Sequence, residues 1–347
     1  MSEPLAPALA DLTTMGVGGV PAEIIWAHSR DELIEATLNV WNQGDDWLIL
    51  GGGSNLVIAD EVENLHVIAA RNLGIERTAT ADGELWRVQA GENWDALVAA
   101  TVEAGLAGIE ALSGIPGCVG AAPMQNIGAY GQEVAETITR AEFLDYDNHE
   151  VVILDNEEMG FAYRDSAFKQ GRLGVITWVE FKLTNFAGLS KPTESTQIAA
   201  ALSIQMGEQT ELTKIRETVL KLRAAKGMIF DPADKDSAGC GSFFTNPIVS
   251  DTFARTLPTE APRYESTEDD GLTVKLSAAW LIEKAGIPKG FALAGSKAAI
   301  SSKHTLAITN RGGASALEVL QLANFVQDRV RNQFGLNLVP EPNLVGF

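Results

Sequence analysis

Residues 48–60 read LILGGGSNLVIAD. An apolar run meets three adjacent glycines, Gly51, Gly52 and Gly53, passes Ser54 and Asn55, and turns apolar again. Glycine loses more backbone entropy on folding than any other residue, so such a run is kept where a side chain has no room or the backbone must bend unusually. The constraint recurs. SGIPGCVGAAPMQNIGAYGQE, residues 113–133, carries Gly114, Gly117, Gly120, Gly128 and Gly131 with Asn126, and TTMGVGGVPAE, residues 13–23, is a milder third case. One such stretch alone reads as a tight turn. Three within about 135 residues suggest backbone amides converging on a ligand, because successive N–H groups form nests that hold phosphate without Lys or Arg. Neither G-x-x-x-x-G-K-[ST] nor G-x-G-x-x-G is present, which excludes a P-loop and the usual dinucleotide fingerprint.

A backbone-built anion site suits a chain with a formal net charge of −20. That charge argues against nucleic-acid and anionic-membrane partners, both of which need basic surface. At 347 residues two or three domains are expected. Cys118 and Cys240 are far apart and in no C-x-x-C spacing, which fits a reducing compartment. MSEPLAPALADL lacks the basic and apolar regions of a secretory signal, and no uncharged apolar run approaches a membrane span, so a cytoplasmic location without membrane insertion is expected. His28, His66 and His149 show no metal-ligand spacing, so no metal site is assigned.

The pattern reads as a mixed α+β chain. SRDELIEATLNVWNQ is a helix with Ser29 and Glu32 at capping-box spacing, and WLILGG, NLVIAD, LHVIAA and LWRVQA are strands. NWDALVAATVEAGLAGIEAL is helical, with Gly105 and Gly108 ending its regular part. RAEFLDYDNHEVVILD is a hairpin around DNHE, and VITWVEFKL is a further strand. TELTKIRETVLKLRAAKG, KLSAAWLIEKAG and SALEVLQLANFVQDRVRNQFG are helices, the last capped by Ser315 and Glu318. LNLVPEPNLVGF closes as a strand, and TEAPRYESTEDD, residues 259–270, is read as a polar surface insertion.

LGGGSNLVI, SGIPGCVGAAPMQNIGAYGQE, YRDSAFK, GCGSFFTNP, KLSAAWLIEKAG, KHTLAITN and the terminal PE occur in one order from about residue 13 onward. In that order they resemble the UDP-N-acetylenolpyruvoylglucosamine reductase family. The resemblance implies a two-subdomain FAD-binding unit of the vanillyl-alcohol-oxidase type, over 1–65 and 66–205, and an α+β substrate-binding domain over 206–347, with the last strand able to return to the FAD unit. It implies non-covalent FAD held by Gly51, Gly52, Gly53, Ser54, Asn55, Ser113, Gly114, Pro116, Gly117, Gly120, Asn126, Gly128, Ala129 and Tyr130. The glycines would then admit the FAD pyrophosphate against bare backbone.

The implied activity is an NADPH-driven reduction of UDP-N-acetylglucosamine enolpyruvate to UDP-N-acetylmuramate in peptidoglycan precursor synthesis. Hydride passes from flavin N5 to the vinyl carbon, and an enediolate forms that needs one proton on carbon. Such a site requires a proton donor, a cation on the substrate carboxylate and donors for the developing charge. By resemblance, Ser242 in GCGSFF is the proton donor and Arg164 in YRDS holds the carboxylate through a bidentate fork. Glu341 in VPEPN is the catalytic Glu, acting as a neutral donor or relay and directed by Pro340 and Pro342. Tyr163, Lys226, Asn246, Lys289 and His304 align with residues contacting the UDP-sugar or the nicotinamide nucleotide. A monomer is the expectation.

Plainer readings stand beside these: a turn serine, an Arg164–Asp165 surface pair, a solvated terminal Glu and surface lysines. Two other functions compete. A sugar or alcohol oxidase on the same FAD scaffold would tether its flavin through a His or Cys, and Cys118 lies in the second loop. A non-catalytic nucleotide-binding module would leave Arg164, Ser242 and Glu341 without a shared purpose. The chain also departs from the family. The linking segment LSKPTESTQIAAALSIQM has no tyrosine to grip substrate, Ser195 falls near that position, and the ending reads PEPNLVGF.

Overall fold

The computed structural model describes residues 6–265 and 272–347. Over these residues the chain divides into two compact units, each discontinuous in sequence. One takes the chain up to Val20, Gly53–Glu63 and Ala225–Phe347; the other takes Pro21–Gly52 and Asn64–Ala224. The sequence-based cut near 205 falls between the helices Thr196–Leu202 and Leu212–Ala225, which the contacts group together in the second unit.

The second unit contains a three-stranded parallel sheet. Leu65–Ala70 lies at its centre, between Glu23–Ala27 and Asp46–Leu50, with Leu48 and Ile24 both opposite Val67. Strands buried on both faces read as continuous apolar runs, as LHVIAA does. The helix Arg30–Gln43 packs Leu33, Val40 and Trp41 against Ile68 and Ala70. Ser29 caps it by accepting the Glu32 N–H, and Gly44 at φ 76° ends it. The expected capping box is only half made, because the Glu32 carboxylate accepts the His28 N–H at 2.8 Å.

The same unit holds a five-stranded antiparallel sheet, ordered Val151–Asp155, Ile138–Asp145, Gly174–Thr184, Gly83–Gln89 and Ile75–Ala79. Trp86, Phe143 and Phe181 are fully buried in its core, each contributing about 1.5–3 kcal/mol by leaving water. The helix expected from residue 93 ends at Glu103, with Gly105 at φ +73° and a separate 3₁₀ turn at Glu110–Leu112.

The first unit is built on Phe243, Phe244, Leu281, Ile300, Ile308, Val319 and Val326. Its longest helix, Ala316–Phe334, has the expected Ser315–Glu318 capping box and stops at Gly335. KLSAAWLIEKAG is split. Thr273–Leu276 is a strand, Ser277 caps the turn, and only Ala278–Lys284 is helical. That strand pairs with Ile248–Ser250 and with Arg263–Glu265, so part of the expected insertion over 259–270 is sheet; residues 266–270 lie outside the described residues. The terminal strand Asn343–Val345 pairs in parallel with Leu56–Ile58.

Candidate functional site

In the second unit the glycines of the first loop face protein. A Cβ on Gly52 would lie 2.6 Å from Gly117 Cα, and one on Gly51 would lie 2.3 Å from Cys118 Sγ. One on Gly120 would lie 2.6 Å from Ala90 Cβ. Real Cβ atoms essentially never approach other atoms so closely, so Gly51 and Gly52 are bare because the second glycine-rich loop packs on the first, and Gly120 because Ala90 lies against it. In the first unit, Gly53 at φ +61° would put a Cβ 2.1 Å from the Leu12 carbonyl oxygen, and its own carbonyl accepts the Thr14 N–H at 3.1 Å. The backbone N–H groups of Gly53 and Gly117 make no hydrogen bond among the described residues.

Cys118 is buried. Burial pushes its thiol up, against the opposing N–H groups of Ala121, Gly52 and Gly120 and the charge of Arg71. A buried, protonated sulfur is a poor nucleophile. Arg71 is a site residue the sequence reading missed. Its Nη1 donates to the carbonyls of Leu50, Gly51 and Ala70 at 3.3, 3.1 and 2.7 Å, tying together the carboxyl ends of two parallel strands. Its guanidinium lies 5.1 Å over the Trp26 ring, and burial pulls its pKa down. The sequence signal was an arginine ending the apolar run LHVIAAR.

Asn126, Tyr130 and Arg164 all have left-handed backbones, at φ 48°, 53° and 53°, among six such non-glycine residues in the described chain. Positive φ in non-glycine residues costs energy and gathers where surrounding contacts hold it. Those contacts are present here. Asn126 donates to Glu133 Oε2 at 2.8 Å and to the Ala162 carbonyl at 3.0 Å, and accepts the Ala135 N–H at 3.1 Å. Arg164 donates to the Asn126 carbonyl at 3.3 Å, to Glu133 at 3.4 Å and to the Gly128 carbonyl. Its guanidinium sits 5.2 Å over the Tyr163 ring. A Cβ on Gly128 would lie 2.8 Å from Arg164 Nη1, so glycine makes room for the cation. Asp165 instead accepts the Ser166 N–H and Gln170 Nε2, both at 2.9 Å. Arg164 is thus built into the loop that bears Asn126, Gly128, Ala129 and Tyr130.

Ser242 and Glu341 both belong to the first unit, on neighbouring extended segments. The Phe243 N–H donates to Leu306 O at 2.7 Å, and the Glu341 N–H donates to Phe243 O at 2.9 Å. Thr245 N–H donates to Val339 O at 3.0 Å, and Phe244 bridges Pro340. Asn55 brackets the same place: its side chain donates to Glu341 O at 3.2 Å, and its carbonyl accepts the Asn343 N–H at 3.0 Å. Buried Phe243 and Phe244 anchor the segment, whereas Ser242 is half-buried and its hydroxyl makes no hydrogen bond among the described residues. Gly241, at φ +73°, has open space where a Cβ would lie. Burial, with the nearby Glu341 charge adding to it, pushes the Cys240 thiol up to about 12.

Lys226 and Lys289 bring positive charge to His304 in the same unit. Burial, then the charges of Lys226 and Lys289, push the His304 pKa down to about 4, with Glu283 opposing. Asn246 is committed elsewhere, because its Oδ1 accepts the Ala278 N–H at 2.9 Å at the start of a helix. Ser195 is 7% exposed and caps the helix Thr196–Leu202 by accepting the Ile198 N–H at 3.3 Å, so it serves the fold at the position where a gripping tyrosine was sought.

Two family models match the chain. The family described as FAD binding domain matches residues 10–155, and the one described as UDP-N-acetylenolpyruvoylglucosamine reductase, C-terminal domain, matches residues 231–345. A UDP-N-acetylenolpyruvoylglucosamine reductase of Leifsonia xyli is 50% identical over 378 aligned positions, covering 100% of both chains. One of Thermobifida fusca is 46% identical, covering 97% of this chain and 96% of that one. The crystal structure of the UDP-N-acetylenolpyruvylglucosamine reductase of Thermus caldophilus superposes with a TM-score of 0.65 at 28% identity, covering 98% and 97% of the two chains.

Proposed function

The chain belongs to the UDP-N-acetylenolpyruvoylglucosamine reductase family, and from that premise we propose that it uses NADPH to reduce UDP-N-acetylglucosamine enolpyruvate to UDP-N-acetylmuramate for peptidoglycan synthesis. It is an FAD-dependent oxidoreductase with an α+β fold. The residues present fit a flavin dinucleotide. In the second unit the second glycine-rich loop supplies a backbone N–H group without an internal partner at Gly117, which suits a phosphate in an acidic chain. The buried, protonated Cys118 favours a non-covalent flavin over the tethered oxidase. When bound, FAD supplies the hydride that reaches the vinyl carbon.

The protein's own residues do the rest. Arg164, its guanidinium plane fixed by the Asn126 and Gly128 carbonyls, orients the substrate carboxylate and holds the charge that grows there. Ser242 gives the proton to carbon, and its hydroxyl is free to do so because no protein group in the described chain engages it. Glu341 donates or relays a proton. Lys226 and Lys289 carry charge for the diphosphate, while the depressed pKa of His304 keeps it neutral near pH 7 as a hydrogen-bonding partner. The observation that carries this reading is the Glu341 N–H bond to Phe243 O, which fixes Glu341 beside the segment bearing Ser242. The test is a visible spectrum of the purified protein, followed by NADPH and then the enolpyruvyl sugar. The flavin band should bleach with the first and return with the second. A protein that cannot be loaded with FAD, or a reduced flavin indifferent to the sugar, overturns the proposal.

A further inference from the structure

We propose that Asp95 is a positioning residue for the flavin, holding the second glycine-rich loop in its binding shape; this rests on the FAD reading above. Asp95 lies in the first turn of the helix Trp94–Glu103. Its Oδ1 accepts the Gly114 N–H at 2.6 Å. Arg216 grips both carboxylate oxygens, Nη1 to Oδ1 at 2.6 Å and Nη2 to Oδ2 at 2.8 Å. Gly114 is also held from its carbonyl, which accepts Nε of the buried Arg223 at 3.1 Å. Both arginines stand on the helix Leu212–Ala225. Leu220 of that helix closes the third side, 2.9 Å from where a Gly114 Cβ would be. Residues 216, 220 and 223 recur at helical spacing, so a single stripe of this helix meets the loop.

The start of the Asp95 helix holds the rest of the loop. The Trp94 backbone N–H donates to Gly117 O at 3.1 Å, and its indole N–H donates to Leu112 O at 3.1 Å. Asp95 and Trp94 therefore span residues 112–117, the stretch whose Gly117 packs on Gly52. Asp95 remains ionised. Burial opposes its charge, but the Arg216 hydrogen bonds, the Gly114 N–H and the charges of Arg216 and Arg223 bring its pKa down.

Gly114 sits at φ +71° and has no side chain of its own to restrict it, so its conformation is set by these bonds and by the Leu220 packing. Removing the carboxylate frees the Gly114 N–H and leaves Arg216 without its bidentate partner. The loop must then be ordered when the flavin binds, and that ordering cost appears in affinity.

The experiment compares wild-type holoenzyme with Asp95→Ala, Asp95→Asn and Arg216→Met. FAD release on dilution is read as the rise in flavin fluorescence, flavin visible circular dichroism reports the bound geometry, and far-UV melting reports stability. FAD dissociation should strengthen about tenfold in Asp95→Ala, equivalent to about 1.4 kcal/mol. The flavin dichroism should change with it. Asp95→Asn should recover part of the affinity, because its amide oxygen still accepts the Gly114 N–H. Arg216→Met should fall between Asp95→Ala and wild type, and with Asp95→Asn it carries the test should the alanine variant not fold. A purely structural Asp95 would lower the melting temperature and leave FAD affinity and dichroism at wild-type values, which would overturn the proposal. A wild-type protein that takes up no FAD would overturn the FAD reading itself, and this proposal with it.

Discussion

Ser242→Ala separates the two halves of the proposed reaction. NADPH oxidation requires no proton from a serine, whereas forming the lactyl ether requires one on carbon. The structure sets how large each effect should be. The Ser242 hydroxyl has no hydrogen-bond partner among the described residues, and its segment is pinned by the backbone bonds of Phe243 and by buried Phe243 and Phe244. Alanine leaves those bonds and that packing intact, so the folding free energy should move by less than about 0.5 kcal/mol. The NADPH half-reaction should likewise stay near wild type. The substrate half-reaction loses its proton donor and should slow by about 10²–10⁴-fold, or roughly 3–5 kcal/mol of barrier. Ser242→Cys should restore part of the rate, since a thiol also donates. Stopped-flow absorbance at the flavin band reads the halves separately, and a thermal melt checks the fold. Equal slowing of both halves would mean that Ser242 shapes a shared pocket. No slowing would move the proton donor elsewhere, with Glu341 next.

Three further outcomes are expected. Gly52→Val should lower the melting temperature as well as FAD retention, costing about 1–3 kcal/mol, because its Cβ would meet Gly117 backbone at 2.6 Å; loss of FAD with an unchanged melt would show that the glycine serves only the ligand. Arg164→Lys should cut kcat/KM by about 10²-fold, since a single ammonium cannot hold the Asn126 and Gly128 carbonyls in one plane and present a fork to substrate; near-normal steady-state kinetics would remove Arg164 from the carboxylate. His304 has a folded pKa of about 4 against an ordinary 6.5, so the unfolded chain binds more protons between those values and stability falls as pH drops through that window, by up to about 3 kcal/mol. His304→Gln should therefore lose less melting temperature between pH 7 and pH 5 than wild type, and parallel curves would refute the assignment.

What the sequence made legible was local. Ser315 with Glu318, Ser29 and the stop at Gly335 are signals within one turn of chain, and the helices they bound appear where expected. KLSAAW was misread because its apolar residues suit either period, while Ser277, the actual start signal, stood in the middle of the run. The glycine loops were legible as special, but their reason was only partly so. Nothing near Gly52 in sequence says that Gly117 will fill its empty side, nor near Gly53 that Leu12 will. The two-unit division was hidden for the same kind of reason, because Gly53–Glu63 joins a unit made mostly of the C-terminal third through its pairing with Asn343–Val345.

The residues missed outright, Arg71, Asp95 and Arg223, are single charges without a motif. Each works by gripping loop backbone: Arg71 the carbonyls at Leu50 and Gly51, Asp95 the N–H of Gly114, Arg223 its carbonyl. That grip is the necessary counterpart of the glycines. A loop without side chains cannot order itself, and its entropy has to be removed by partners from elsewhere in the chain. A glycine-rich ligand loop in a sequence therefore implies charged partners outside it, and these become visible only when the fold brings them to the loop.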